Sequence, residues 1–433
     1  MQEKPGQKGI RGGGLRQSAK RCVFAALAPA LLAACSGVQP ATPEAAAVPV
    51  LTGLEVLARD SMGPLRGLRV GLITNHTGVV GAGDARTSSI DLLHASPHVT
   101  LVRLFAPEHG FSGRANAGEH IGDERDRATG LPILSLYGET RKPTAAMLEG
   151  LDALVFDIQD IGTRYYTYIW TMAHALEAAA EHGVRFVVLD RPNPIGGTLM
   201  HGNVLDTAYR TFVGLYPVPM RHGLTAGEMA QFINREYGLD AQLTVVPVEG
   251  WQRSQWYDET GLPWVAPSPN MPSLESAAHY PGTCLFEGTN LSVGRGTDEA
   301  FSQIGAPWVQ SDVLVERLRA RNLPGVRIDT VRFTPVQPGD GKYADTAVRG
   351  VRYTVTDRAS YDPSLTAVAT LVELRALHAD SLTFRVAHFD RLAGTDSVRL
   401  KLLAGESVAS ITAPWQGQLE RFAARRAPYL LYR

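Results

Sequence analysis

From Leu51 onward, short apolar runs alternate with longer segments whose apolar residues recur at helical spacing. Runs at 68–73, 101–105, 131–136, 151–156 and 185–189 predict strands, the third an edge strand because of Pro132. Between them, 88–95, 143–150 and 165–182 predict helices, the last stopped by Gly183. Strands separated by helices imply a parallel sheet covered on both faces, an α/β protein. Thr225 and Glu228 form a capping box for a helix to Tyr237, and 243–248 is a further strand. A proline-dense crossing at 266–272 marks a boundary between domains at 51–272 and 273–433. Beyond it, 280–297 is rich in Gly, Thr and Asn and predicts loops. A helix at 311–321, strands near 326–333 and 348–355, a helix at 363–379 and a helical tail complete a smaller α/β domain. Asp357 and Asp362 read there as turn and cap residues, and no chemistry is expected after residue 307.

The polar residues fall where the strands end, at Thr74-Asn75-His76-Thr77-Gly78, Ala106-Pro107-Glu108-His109-Gly110, Asp157 to Arg164, and Asp190-Arg191-Pro192-Asn193-Pro194. Each cluster alone reads equally well as a helix cap or a solvated turn. Four on one sheet converge on the crevice outside the carboxyl ends of the strands, where open α/β sheets bind ligands. A carboxylate and an imidazole there, Glu108 and His109, can carry out proton transfer. Gly81-Ala82-Gly83 lacks the third glycine of a dinucleotide fingerprint, and neither a GK[ST] loop nor a GxSxG elbow occurs. His76, His109 and His120 with Glu108, Glu119 and Asp123 are metal-ligand types without metal-ligand spacing, so no metal or cofactor is expected. Paired carboxylates without a cofactor motif fit glycosyl transfer to water. Tyr165, Tyr166, Tyr168 and Trp170 either stack on sugar faces or pack the helix into the core.

The first 35 residues read as a signal segment rather than fold. Six Lys and Arg precede an apolar run from Cys22 to Ala34, too short to span a bilayer. Leu32-Ala33-Ala34-Cys35 resembles a lipobox, which predicts lipid attachment at Cys35, a flexible tether over 36–50, and a periplasm-facing lipoprotein. Ser36, where Asp would favour the inner membrane, points to the outer one. That leaves Cys284 as a lone, buried thiol and excludes an intrachain disulfide. A net charge of −1 gives no electrostatic case for nucleic acid.

Six ordered motifs, LITNHTGV, LFAPEHGFSG, VFDIQDIGTRYYTY, VLDRPNPIGG, PSPNMPS and YPGTCLFEGTNLSVGRGT, resemble the exo-β-N-acetylmuramidase NamZ family from Arg69 to the C-terminus. The resemblance implies a Rossmann-like N-terminal domain, a smaller C-terminal domain and an active site in the cleft between them. It also implies release of terminal β-1,4-linked N-acetylmuramic acid from the non-reducing ends of peptidoglycan fragments. It puts catalysis on Glu108; His109, Asp157, Asp160 and Glu287 are the further catalytic candidates. Substrate contacts are expected from Asn75, His76, Glu119, Gln159, Arg164, Tyr165, Asp190, Arg191, Asn193, Asn270, Asn290 and Arg295. The lactyl carboxylate of muramic acid asks for a cation, and these motifs offer Arg164, Arg191 and Arg295 but no Lys; each is alternatively a structural partner of a nearby Asp. The competing readings are a metal-dependent amidase or esterase acting on cell-wall material and a non-catalytic peptidoglycan-binding lipoprotein. No obligate protein partner is expected.

Overall fold

In the computed structural model, which describes residues 48–111 and 124–433, the strands predicted before residue 250 assemble into a single sheet. Cys35, the signal segment, most of the tether, Glu119, His120 and Asp123 lie outside the described residues. The strands are β1 (Arg69–Thr74), β2 (Thr100–Ala106), β3 (Pro132–Ser135), β4 (Ala153–Asp157), β5 (Arg185–Leu189) and β6 (Leu243–Val246). All six are parallel and stand in the order β3-β2-β1-β4-β5-β6, that of a Rossmann-type sheet. Glu124–Arg125 pairs antiparallel outside β3, so the run read as an edge is partly covered.

The apolar runs are continuous because the central strands are buried on both faces. Alternate side chains enter two different cores. Val70, Leu72, Val155 and Val187 pack with α1 (Gly53–Arg59) and α2 (Ser89–Ala95). Ile73, Phe105, Leu154, Phe156 and Phe186 face the other side. There the predicted helix 143–150 shrinks to one turn, α3 (Ala145–Leu148), while α4 (Tyr168–His182) and α5 (Ala226–Glu236) are full helices. α4 starts three residues later than its apolar pattern suggests. Residues 163 and 164 are held instead by the strand Pro219–Arg221, through a bridge from Thr163 to Arg221 and the Arg164 N–H on the Met220 carbonyl.

After the proline crossing, the expected loop at 280–288 is helical. α6 (Leu274–Thr283) runs directly into a 3-10 turn, Cys284–Gly288. Gly282 is there for proximity rather than for a turn, since a Cβ on it would lie 1.9 Å from the Pro363 carbonyl oxygen. Then come β7 (Gln303–Ala306), α7 (Ser311–Ala320), β8 (Val326–Phe333), β9 (Val348–Val355), α8 (Pro363–Leu377) and α9 (Val386–Ala393). The three strands form an antiparallel sheet ordered β7-β9-β8, and Asp362 caps α8 through the N–H groups of Ser364 and Leu365. The tail folds back on the first half, with Arg426 donating to the carbonyls of His222 and Gly223 and the Tyr432 hydroxyl donating to Asp190 at 2.5 Å. One apolar core continues from Ile73 to Phe422, and Val48–Arg433 forms one compact unit.

Candidate active site

A cavity of about 370 Å³ takes its walls from both sides of residue 272. Glu108 reaches it from the turn immediately after β2, where Pro107 ends the strand. The carboxylate is buried and accepts the Thr167 hydroxyl at 2.5 Å. Thr167 occupies the N-cap position of α4; its oxygen accepts no cap hydrogen bond, and its hydroxyl proton goes to Glu108. A carboxylate at that place also meets the positive end of the helix dipole. His109 follows with φ +66°, a left-handed conformation uncommon outside glycine and typical of strained functional turns.

Glu287 comes to the same cavity on the 3-10 turn that extends α6. Its Oε1 accepts from Arg295 Nε at 2.6 Å and its Oε2 from the Cys284 thiol at 3.5 Å. The Lys342 ammonium donates to the backbone carbonyls of Glu287 and Leu291 at 3.1 and 3.0 Å, tying the turn down. Burial pushes the Glu287 carboxyl up, but the Arg295 charge and hydrogen bond outweigh it and hold the group below the usual carboxylate range. Glu287 is therefore ionised at neutral pH. Cys284 is buried as expected, but in the cavity wall; burial and the neighbouring Glu287 charge drive its thiol well above its ordinary value.

Tyr165, Tyr166, Tyr168 and Tyr280 also line the cavity, packed edge to face with ring centroids 5.0–5.9 Å apart. The Tyr165 hydroxyl donates to the Pro281 carbonyl and that of Tyr168 to the Pro267 carbonyl. Trp170 belongs to the core, its indole N–H on the Arg164 carbonyl. Asn270, from the proline crossing, completes the set of predicted residues found here: Glu108, His109, Tyr165, Asn270, Glu287 and Arg295.

Most other predicted residues are committed inside the fold. Asp157 at the end of β4 and Arg191 just after β5 form a buried ion pair, Nε to Oδ1 at 2.7 Å and Nη2 to Oδ2 at 3.1 Å. Arg191 Nη2 also reaches the Val79 carbonyl at 3.4 Å, beside the switch point between β1 and β4. That crevice, where a Rossmann-type sheet would hold its ligand, is filled. A Cβ on Gly78 would meet Thr74 Oγ at 2.2 Å and Asp157 Oδ2 at 2.9 Å, and the space left beside Arg191 and Gln159 is about 20 Å³, room for a water. Asn75 accepts from Thr77, and Gln159 donates to the carbonyls of Asp160 and Pro192. Asn193 donates to the Leu224 carbonyl. His76 donates from Nε2 to the Ala266 carbonyl at 2.7 Å. Asp160 accepts the Gly162 N–H, and burial pushes its carboxyl up to about 7. Asp190 accepts from Thr225, Gly227 and Tyr432, and burial pushes it up to about 6. Arg164 spends its guanidinium on the carbonyls of Asn203, Val218, Leu392 and Ala393. Asn290 braces Ser381 and Thr383. The expected partners of the arginines are the nearby Asp160, Asp190 and Asp298, but Arg191 pairs with Asp157, Arg295 with Glu287, and Arg164 with carbonyls alone. Glu119 lies outside the described residues.

The region expected to carry no chemistry supplies one wall. Asp340, Lys342, Arg385, His388 and Arg391 line the cavity, joined by Arg141 from the first half. They are single residues in loops and on a short helix, with no motif spacing to mark them. Thr167 was within reach, since it stands in the VFDIQDIGTRYYTY motif.

Two carboxylates on one cavity, beside clustered tyrosines and with one carboxylate kept ionised, are the equipment of a glycoside hydrolase. Sequence comparison gives the family. The N-terminal profile of "Exo-beta-N-acetylmuramidase NamZ" matches residues 70–275, and the C-terminal profile matches 278–432. The chain is 46% identical over 384 residues to the peptidoglycan β-N-acetylmuramidase NamZ of Bacillus subtilis strain 168, spanning 88% of this chain and 91% of that one. Two crystal structures of DUF1343 family proteins from Bacteroides fragilis superpose with TM-scores of 0.82 and 0.71, at 37% and 33% identity. Each match covers 89% of this chain and 99% of the other. The chain belongs to the exo-β-N-acetylmuramidase NamZ family, whose members are glycoside hydrolases.

Proposed function

We propose that the protein removes terminal β-1,4-linked N-acetylmuramic acid from the non-reducing ends of peptidoglycan fragments, with Glu108 transferring the proton. The observation that carries this reading is the pairing of Glu108 on Thr167 with Glu287 on Arg295 around one cavity. Glu287, held by Arg295, suits a nucleophile, base or charge-stabilising role, and Glu108, positioned by the Thr167 hydroxyl, suits proton transfer to the leaving oxygen. The cavity lies near the small end of ligand pockets, which run roughly 300–1,000 Å³, and so suits a chain end better than a strand interior.

The test is turnover of a muramic-acid-terminated disaccharide, with and without a chelator. Glu108→Gln is expected to lower kcat by about 10²–10⁴-fold, the range for a general acid–base group, while fragment binding persists. A variant within tenfold of wild type excludes Glu108, and loss of wild-type turnover in chelator favours a metal-dependent hydrolase instead.

The signal pattern supports a second part of the reading. Cys35 is the lipidated first residue of the mature chain, the tether spans 36–50, and the enzyme faces the periplasm from the outer membrane.

A further inference from the structure

Five cationic side chains, Arg141, Arg295, Lys342, Arg385 and Arg391, line the cavity against three carboxylates, Glu108, Glu287 and Asp340. The excess is positive, as an anionic sugar requires, but most of these cations are already engaged. Arg295 is held by Glu287, and Lys342 by backbone carbonyls. Arg391 donates to Nδ1 of His388 at 2.5 Å. Arg141 lies over the Phe212 ring, 4.5 Å from its centroid.

Arg385 differs. Its backbone N–H donates to the Gly288 carbonyl at 2.8 Å, so its side chain springs from beside the residue that follows Glu287. It precedes α9 in the N-cap position without a side-chain cap bond. Its guanidinium is exposed and, among the described residues, makes no hydrogen bond or ion pair. We propose that Arg385 is the specificity residue that reads the lactyl carboxylate of the terminal muramic acid. The proposal rests on the muramidase reading above and deepens it. The lactyl ether sits on the same sugar ring as the anomeric carbon served by the two carboxylates, so its cation must stand next to them, and the Gly288 anchor puts Arg385 there. A guanidinium pairs with both carboxylate oxygens at once, which an ammonium does not. Arg391 and Lys342 line the same cavity and add to its positive charge.

The experiment compares three chromogenic β-glycosides: N-acetylmuraminide, its lactyl methyl ester and N-acetylglucosaminide. Wild type is expected to prefer the free acid. In Arg385→Ala the acid-to-ester ratio of kcat/KM should fall by about 10- to 100-fold, mainly through KM, the loss expected for hydrogen bonds to a charged group. Arg385→Lys should recover part of the preference, and added guanidinium ion should rescue acid turnover in the Ala variant. A ratio within threefold of wild type, or equal loss on acid and ester, overturns the assignment. A wild-type protein that hydrolyses the ester and the glucosaminide as fast as the acid shows that no cation reads the carboxylate. If wild type cleaves neither muramyl substrate, the muramidase reading itself fails, and this assignment with it. Because Arg385 is exposed, a melting curve matching wild type separates a recognition defect from misfolding.

Discussion

The Thr167 hydroxyl has one proton to donate, and Glu108 receives it, while the Thr167 oxygen accepts no N–H from the first turn of α4. Thr167→Val keeps the shape and removes this donor from the buried Glu108 carboxylate. Hydrogen bonds to charged groups are worth about 1.5–3 kcal/mol, so kcat/KM should drop roughly ten- to a hundredfold with little change in KM. Unchanged turnover would mean that the bond does not orient the catalytic group. Asp160 shows a different use of burial. Desolvation pushes its carboxyl up to about 7, above the ordinary value of about 3.9. Over that interval the folded protein keeps a proton that the unfolded chain has released. The group's contribution to stability is therefore complete below about pH 4 and is lost as pH rises to about 7, by up to roughly 1.4 kcal/mol per unit. Asp160→Asn stays neutral throughout. Its urea-derived stability relative to wild type should rise by about 2.5–3 kcal/mol between pH 5 and pH 8. A constant difference would show that Asp160 is already ionised in the folded state.

At the scale of elements, α6 is the part that delivers Glu287, and its approach to α8 is what fixes its position. Gly282 allows the backbone of α6 to touch the Pro363 carbonyl. Gly282→Ala must push the helices apart, an overpacking that costs typically about 1–3 kcal/mol. Activity should fall together with Tm, because the 3-10 turn carrying Glu287 moves with the helix end. A variant as stable and active as wild type would show that α6 has slack to shift. The Asp157–Arg191 pair works at this scale too. It seals the switch point of the Rossmann-type sheet, so the ligand site moves along the sheet to the end of β2. The two residues read from the sequence as catalytic and substrate-binding candidates. Asp and Arg at strand ends look the same whether they face a ligand or each other.

For the whole molecule, one core joining the two halves means that the cavity walls are set by global packing. Arg164 illustrates this, holding carbonyls at the end of α9 from a position just before α4. Outside the described residues, the proposed signal segment and tether make a prediction of their own. Cys35→Ser should move the protein from the membrane fraction to the soluble periplasmic one. Retention on the membrane after signal removal would exclude lipid attachment there.

The division between local and tertiary information follows from range. Parallel strands, the capping box of α5, the Asp362 cap of α8 and the Glu108 turn depend on neighbours a few residues away, and each was legible in the sequence. Six motifs in order sufficed for the family. What tertiary structure decided was which polar residues meet. Continuous burial shows that a strand is covered but not what its polar end will face, and a glycine in 280–288 marks a close helix crossing as readily as a loop. Lys342, Arg385 and Arg391 carry no signal at short range, because the Glu287 turn whose cavity they share lies more than fifty residues away. Only tertiary folding brings them into the wall of one cavity.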